Sequence, residues 1–171
     1  MNAHHRHQQH TFKGPTSGFI VTDTINDKKD TQGFIGYLPS DKSIYVVFRG
    51  SSSIQNWITD LTVTKTSYNE YCCGNSCKIH KGFYKEATEE FPGILSAVQK
   101  LKEKYPSYKV KTTGHSLGAA LGQIIAMMLK SSGVDVATHY NFGQPRIGDH
   151  AYTQCANSYL PTVRVTHLKV R

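Results

Sequence analysis

Residues Gly114-His115-Ser116-Leu117-Gly118 stand between two segments of different period. Before them, Tyr108 to Thr113 alternates as a half-buried strand does. After them, Ala119 to Lys130 is made mostly of strong helix formers. Passing from strand to helix in so few residues needs a sharp turn. The pattern G-x-S-x-G is the nucleophile elbow, in which the serine takes unfavourable backbone angles and small flanking residues let strand and helix approach. The serine hydroxyl then stands clear at the carboxyl edge of a sheet, above a helix N-terminus that favours negative charge. Ala119 and Ala120 extend the small-residue run. A Gly-rich turn with an ordinary N-capping serine is the plainer reading, but the flanking strand and helix favour the elbow.

The remaining segments supply a frame for such a turn. Ser17 to Thr24 and Thr31 to Leu38 read as strands, and together they suit an antiparallel hairpin at one sheet edge. The turn Pro39-Ser40-Asp41-Lys42 leads into Ser43 to Phe48, a buried central strand. Ile54, Trp57, Ile58 and Leu61 fall at helical spacing after a Gly/Ser loop, which predicts a short amphipathic helix. Order resumes at Lys78 to Phe83. Phe91, Ile94, Leu95, Val98 and Leu101 then mark a helix within Phe83 to Tyr105, with a kink or break expected at Pro92-Gly93. His139 to Gly143 and Val163 to His167 are short strands. Strands alternating with helices predict an α/β fold with a mostly parallel sheet.

A chain of 171 residues has room for one domain and a sizeable core. No apolar run approaches the ~20 residues that a membrane-spanning helix needs. The formal charge of +8 is spread over separate sites such as Lys28-Lys29, Lys100 to Lys104 and Lys169 to Arg171. No nucleic-acid-binding pattern accompanies it, so no nucleic-acid partner is expected. Residues 1–16 read as a disordered, His-rich tail with no apolar stretch of the kind a secretory leader has. Cys72, Cys73 and Cys77 cluster in a turn-like segment, with Cys155 far away. A zinc site there would find only His80 near by, so no metal is expected. A short disulfide from Cys72 or Cys73 to Cys77 is the favoured expectation, and it would place the chain in an oxidising compartment.

Several independent segments resemble the fungal-type class 3 lipase family, a branch of the α/β-hydrolases. They are Val46 to Leu61, His80-Lys81-Gly82-Phe83, Tyr105 to Val110 followed by Thr113 to Gly118, and Phe142 to Asp149. The likeness runs from about Ser17 to about Lys169, so residues 17–171 are read as a partial α/β-hydrolase domain. The resemblance implies hydrolysis of lipid esters such as triacylglycerols at an oil–water or membrane interface. It implies a secreted or lumenal protein, a monomer, and no cofactor. Ser116 would be the nucleophile. The backbone N–H groups of Leu117 and Ser51 would form the oxyanion hole, with Asp60 holding Ser51 in place. Ile54, Trp57, Ile58 and Leu61 would be the lid. His115 would pack rather than act as base, and Gln144 to Asp149 would be a structural loop.

The resemblance also implies an acid and a histidine after Ser116, in that order. The acid belongs a few residues beyond the strand Val163 to His167, where this sequence has Val170 and then Arg171. Asp149 and His167 have the right order but fall on the wrong strands. The expectation is therefore a family member truncated at both ends, lacking the C-terminal part of the fold and leaving apolar sheet surface uncovered. The alternative function is a catalytically degenerate homologue or lipid-binding relic.

Overall fold

The structure, a computed structural model, describes residues 12–26, 31–50, 64–68 and 77–166. Its main sheet has the strands β1 (Ile20–Asn26), β2 (Gln32–Leu38), β3 (Ser43–Phe48), β6 (Lys109–His115), β7 (Val136–Phe142) and β8 (Thr162–Val165), side by side in that order. The first three pair antiparallel, which places the expected hairpin at one edge. The pairs β3–β6, β6–β7 and β7–β8 are parallel. Two short strands, β4 (Lys65–Ser67) and β5 (Lys78–His80), form a separate ladder.

Each parallel step is made through a helix: α1 (Lys81–Lys104), α2 (Leu117–Ser131) and α3 (His150–Tyr159). Parallel neighbours require such crossovers, and their shared hand puts helices on one face. The strands answer with alternation. Ile44, Val46 and Phe48 of β3, Val110 and Thr112 of β6, and His139 and Asn141 of β7 are all buried. α2 packs against β3, β6 and β7 and against α1, and every residue from Leu117 to Leu129 is buried. That explains why α2 is apolar all round.

The opposite face is less covered. Val163 and Val165 are each 45% exposed and Phe142 is 42% exposed. At the hairpin end of the sheet Phe12 packs on Phe19 and Phe34, with ring centroids 4.9 and 6.1 Å apart. Packed structure thus reaches into the stretch expected to be tail, because Phe12 caps this aromatic cluster.

Three expectations change. α1 is one helix that continues through Pro92 rather than splitting there. Pro92 and Gly93 lie on its exposed side, while Phe83, Ala87, Ile94, Ala97, Val98 and Leu101 are buried on the other. Burial of that stripe outweighs the missing hydrogen bond. Second, α3 fills a stretch in which no helix was expected. Third, Cys77 retains its thiol and Cys155 is disulfide-bonded, so the short disulfide ending on Cys77 does not form. Cys77 sits in the core, where burial pushes its thiol pKa up; Cys155's partner lies outside the described residues.

Candidate active site

The sequence around Ser116 folds as the elbow. β6 ends at His115, α2 begins at Leu117, and Ser116 joins them with φ 53° and ψ −120°. Only one other described non-glycine residue, Lys42, has a positive φ. Such backbone angles cost an L-residue on the order of 1–3 kcal/mol and persist only where the surroundings enforce them.

The two flanking glycines are the enforcers. A Cβ on Gly114 would lie 2.3 Å from the carbonyl carbon and oxygen of Gly118, so strand and helix touch backbone to backbone. A Cβ on Gly118 would lie 2.6 Å from the carbonyl oxygens of Phe48 and Arg49. The loop leaving β3 therefore presses on the first turn of α2. Its next residue, Gly50, reaches the other side of the elbow, where a Cβ would meet the His115 carbonyl oxygen at 2.9 Å. Arg49 is held there through its N–H to the Gln32 carbonyl at 2.7 Å and its guanidinium to the Gln32 side chain.

Ser116 itself is 6% exposed. Its N–H donates to the Phe142 carbonyl at 2.9 Å, and its own carbonyl accepts from Ala119 and Ala120 at 3.0 and 3.2 Å. Leu117 is the first helical residue of α2, so its N–H has no acceptor within the helix. A helix N-terminus with an unclaimed N–H beside a serine is a place where negative charge on an attacked carbonyl oxygen is stabilised. The chain enters the region expected to complete the oxyanion hole at Gly50. Ser51, Asp60 and the expected lid residues Ile54, Trp57, Ile58 and Leu61 lie outside the described residues.

Of the polar residues weighed for this centre, His80 and Asp149 cap helices and Asp135 pairs with a lysine. His115 is exposed beside Gly50 and Gly143. His80 caps α1, its Nδ1 accepting from the Phe83 N–H at 3.3 Å, and its ring stacks on Phe83 at 4.1 Å. Asp149 caps α3: its carboxylate accepts from the Tyr152 N–H at 2.9 Å and the Lys78 N–H at 3.1 Å. The Tyr152 hydrogen bond is the first cause holding its pKa below the ordinary carboxylate value. Asp135 pairs with Lys130 at 3.5 Å, beyond the end of α2 remote from the elbow. His167 lies outside the described residues. Among the described residues no group of His, Cys, Asp or Glu side chains could hold a metal ion.

Sequence reasoning missed one feature. Thr112, His139, Gln144 and Gln123 form a buried hydrogen-bonded line that joins β6, β7, the turn after β7 and α2. Its one sequence signal is Gln123, the single polar side chain in the apolar run Leu117 to Leu129.

The comparisons agree with this geometry. The family model for lipase (class 3) matches residues 45–169. A lipase of Rhizomucor miehei is 42% identical over 127 residues, covering 72% of this chain and 34% of that protein. The secreted mono- and diacylglycerol lipase A of Penicillium cyclopium is 30% identical over 153 residues, covering 88% of this chain and 49% of that protein. The solved structure of Rhizomucor miehei triacylglyceride lipase superposes with a TM-score of 0.80 at 36% identity, covering 88% of this chain and 58% of that one. The chain thus spans about half the length of these relatives, or less. Its sheet order, its elbow and these matches agree, and the chain belongs to the class 3 lipase family.

Proposed function

We propose that the protein is a serine hydrolase of lipid esters, with triacylglycerols as substrates, acting through an acyl-enzyme on Ser116. The observation that carries this reading is the strained Ser116 backbone, held between β6 and the N-terminus of α2 by backbone contacts at Gly114 and Gly118. The Ser116 oxygen adds to the ester carbonyl carbon as a base takes its proton. The carbonyl oxygen becomes an oxyanion and accepts from the Leu117 N–H and, with its hydroxyl as a further donor, from Ser51. Each such donor is worth ~10²–10³ in rate. Collapse expels the alcohol with a proton, and water then releases the fatty acid. Asp60 would hold Ser51. Ile54, Trp57, Ile58 and Leu61 would cover the site in water and open at a lipid surface, where their exposure carries no penalty. The relatives named lipases support this substrate class.

A secreted protein working at an oil–water or membrane interface fits two observations. Relatives are named as secreted lipases, and Cys155 is disulfide-bonded, as suits an oxidising compartment. No described helix is long and apolar enough to cross a membrane.

A second reading is a degenerate homologue that binds lipid with little turnover. Its support is that the described acids after Ser116 are engaged elsewhere, Asp149 capping α3 and Asp135 beside Lys130. Titration with a p-nitrophenyl alkylphosphonate separates the two. Rapid single labelling of the wild type, absent in Ser116→Ala, supports the hydrolase. Labelling no faster than in Ser116→Ala supports the relic.

A further inference from the structure

We propose that Gln144 is a positioning residue for Ser116: it ties the turn after β7 to α2 and so fixes the Phe142 carbonyl from which the Ser116 amide hangs. The proposal rests on the reading of Ser116 as nucleophile.

The Phe142–Gly143 peptide is held from both sides. Its carbonyl accepts from the Ser116 N–H at 2.9 Å, and its N–H donates to the Val165 carbonyl at 3.1 Å. The chain then turns at Gly143, whose φ of 60° suits glycine. Gln144 follows at once and sends its side chain back into the core. Its Oε1 lies 3.1 Å from His139 Nε2, and its Nε2 donates to Gln123 Oε1 at 3.0 Å. Its backbone carbonyl accepts from Arg164 Nη2 at 3.1 Å.

These contacts set one direction of donation. The Gln144 amide nitrogen is spent on Gln123, so its oxygen faces His139 Nε2, which donates in the tautomer that satisfies this contact. His139 Nδ1 lies 2.8 Å from the Thr112 hydroxyl, and the ring also bonds the backbone at Thr112 and Ala119. Thr112, His139, Gln144 and Gln123 are all buried. Apolar side chains would fill this space without any desolvation cost. A hydrogen-bonded polar line instead favours one relative placement of β6, β7, the turn and α2. α2 presses on the same ring: a Cβ on Gly122 would lie 3.2 Å from His139 Cε1. The helix that starts at the elbow and the carbonyl that holds the elbow are thus pinned to one side chain.

Gln144→Met keeps length and removes both side-chain hydrogen bonds; Gln123→Met removes one. Amide hydrogen exchange by NMR is followed at Ser116, with Ile124 and Leu129 as markers of the α2 core. The anchor predicts that Ser116 exchanges about tenfold faster in Gln144→Met and less so in Gln123→Met, with the two core amides unchanged. Phosphonate labelling of Ser116 stays within about twofold of wild type, since the closed form still dominates after a tenfold rise in a minor open state, so the exchange comparison decides the anchor. An unchanged Ser116 amide, or acceleration of all three amides together, overturns the proposal. Wild-type protein that resists the phosphonate refutes the nucleophile reading instead, and the exchange comparison still decides the anchor.

Discussion

Gly114 and Gly118 meet backbone to backbone: a side chain begun on Gly114 would run into the Gly118 carbonyl at 2.3 Å. This contact lets a strand end and a helix begin with only Ser116 between them. Backbone cannot retreat as a flexible side chain can. Gly114→Ala is therefore expected to cost about 3 kcal/mol or more, at the upper end for overpacking. Urea unfolding of the variant checks it. A cost under ~1 kcal/mol, in the range of tolerated volume changes, would show that the contact is softer than its geometry.

Ser116→Gly is expected to stabilise the fold while abolishing phosphonate labelling. At φ 53° and ψ −120° a serine is strained and a glycine is not. Relief of that strain outweighs the entropy glycine adds to the unfolded chain, leaving a net gain of about 1 kcal/mol. Ser116→Ala keeps the Cβ and with it the strain, so its stability should match the wild type. A glycine variant less stable than the alanine variant by the ~0.4–1 kcal/mol of added chain entropy would mean that the elbow stores no strain.

Much of this arrangement was legible in the sequence because it is local. Ser43 to Phe48 announces β3 by its unbroken apolar run, and Gly114 to Gly118 announces the elbow by spacing. What stayed hidden depends on partners distant in sequence. α3 is weakly apolar, burying Tyr152, Cys155 and Ala156, and its cap Asp149 is shared with the N–H of Lys78 from another layer. Pro92 suggests a break, yet it falls on the exposed side of a helix whose other side is anchored in the core. His139 and Gln144 look like ordinary loop and strand residues until the sheet brings Thr112 and Gln123 to them. The expected oxyanion partner Ser51 and the lid lie outside the described residues.

Acid should weaken the fold in a window set by His139. Burial, the largest cause, lowers its pKa from 6.5 to about 4. The unfolded chain therefore binds a proton that the folded protein refuses. Stability from this group is complete above the unfolded value of 6.5 and is lost as pH falls towards 4. The full span is worth roughly 3 kcal/mol. Urea unfolding at several pH values between these limits should show it, and His139→Leu should flatten that part of the profile. An equally steep profile in His139→Leu would assign the acid sensitivity elsewhere.

Asp149 offers the sharpest distinction between a cap and a catalytic acid. Its two carboxylate bonds go to the N–H groups of Tyr152 and Lys78, so its work is to start α3 and tie it to β5. Asparagine is about as good an N-cap as aspartate. Asp149→Asn should therefore cost only a few tenths of a kcal/mol, whereas Asp149→Ala should cost ~1–2 kcal/mol. Neither change should slow phosphonate labelling of Ser116 by more than a small factor in folded protein. If Asp149 were instead the acid that orients a catalytic histidine, the Asn variant would keep its stability and lose about 10⁴ in rate. A stable Asp149→Asn protein with labelling lost would overturn the capping role and reopen the order Ser116, Asp149, His167. Retained labelling would leave Asp149 as a joint between α3 and β5.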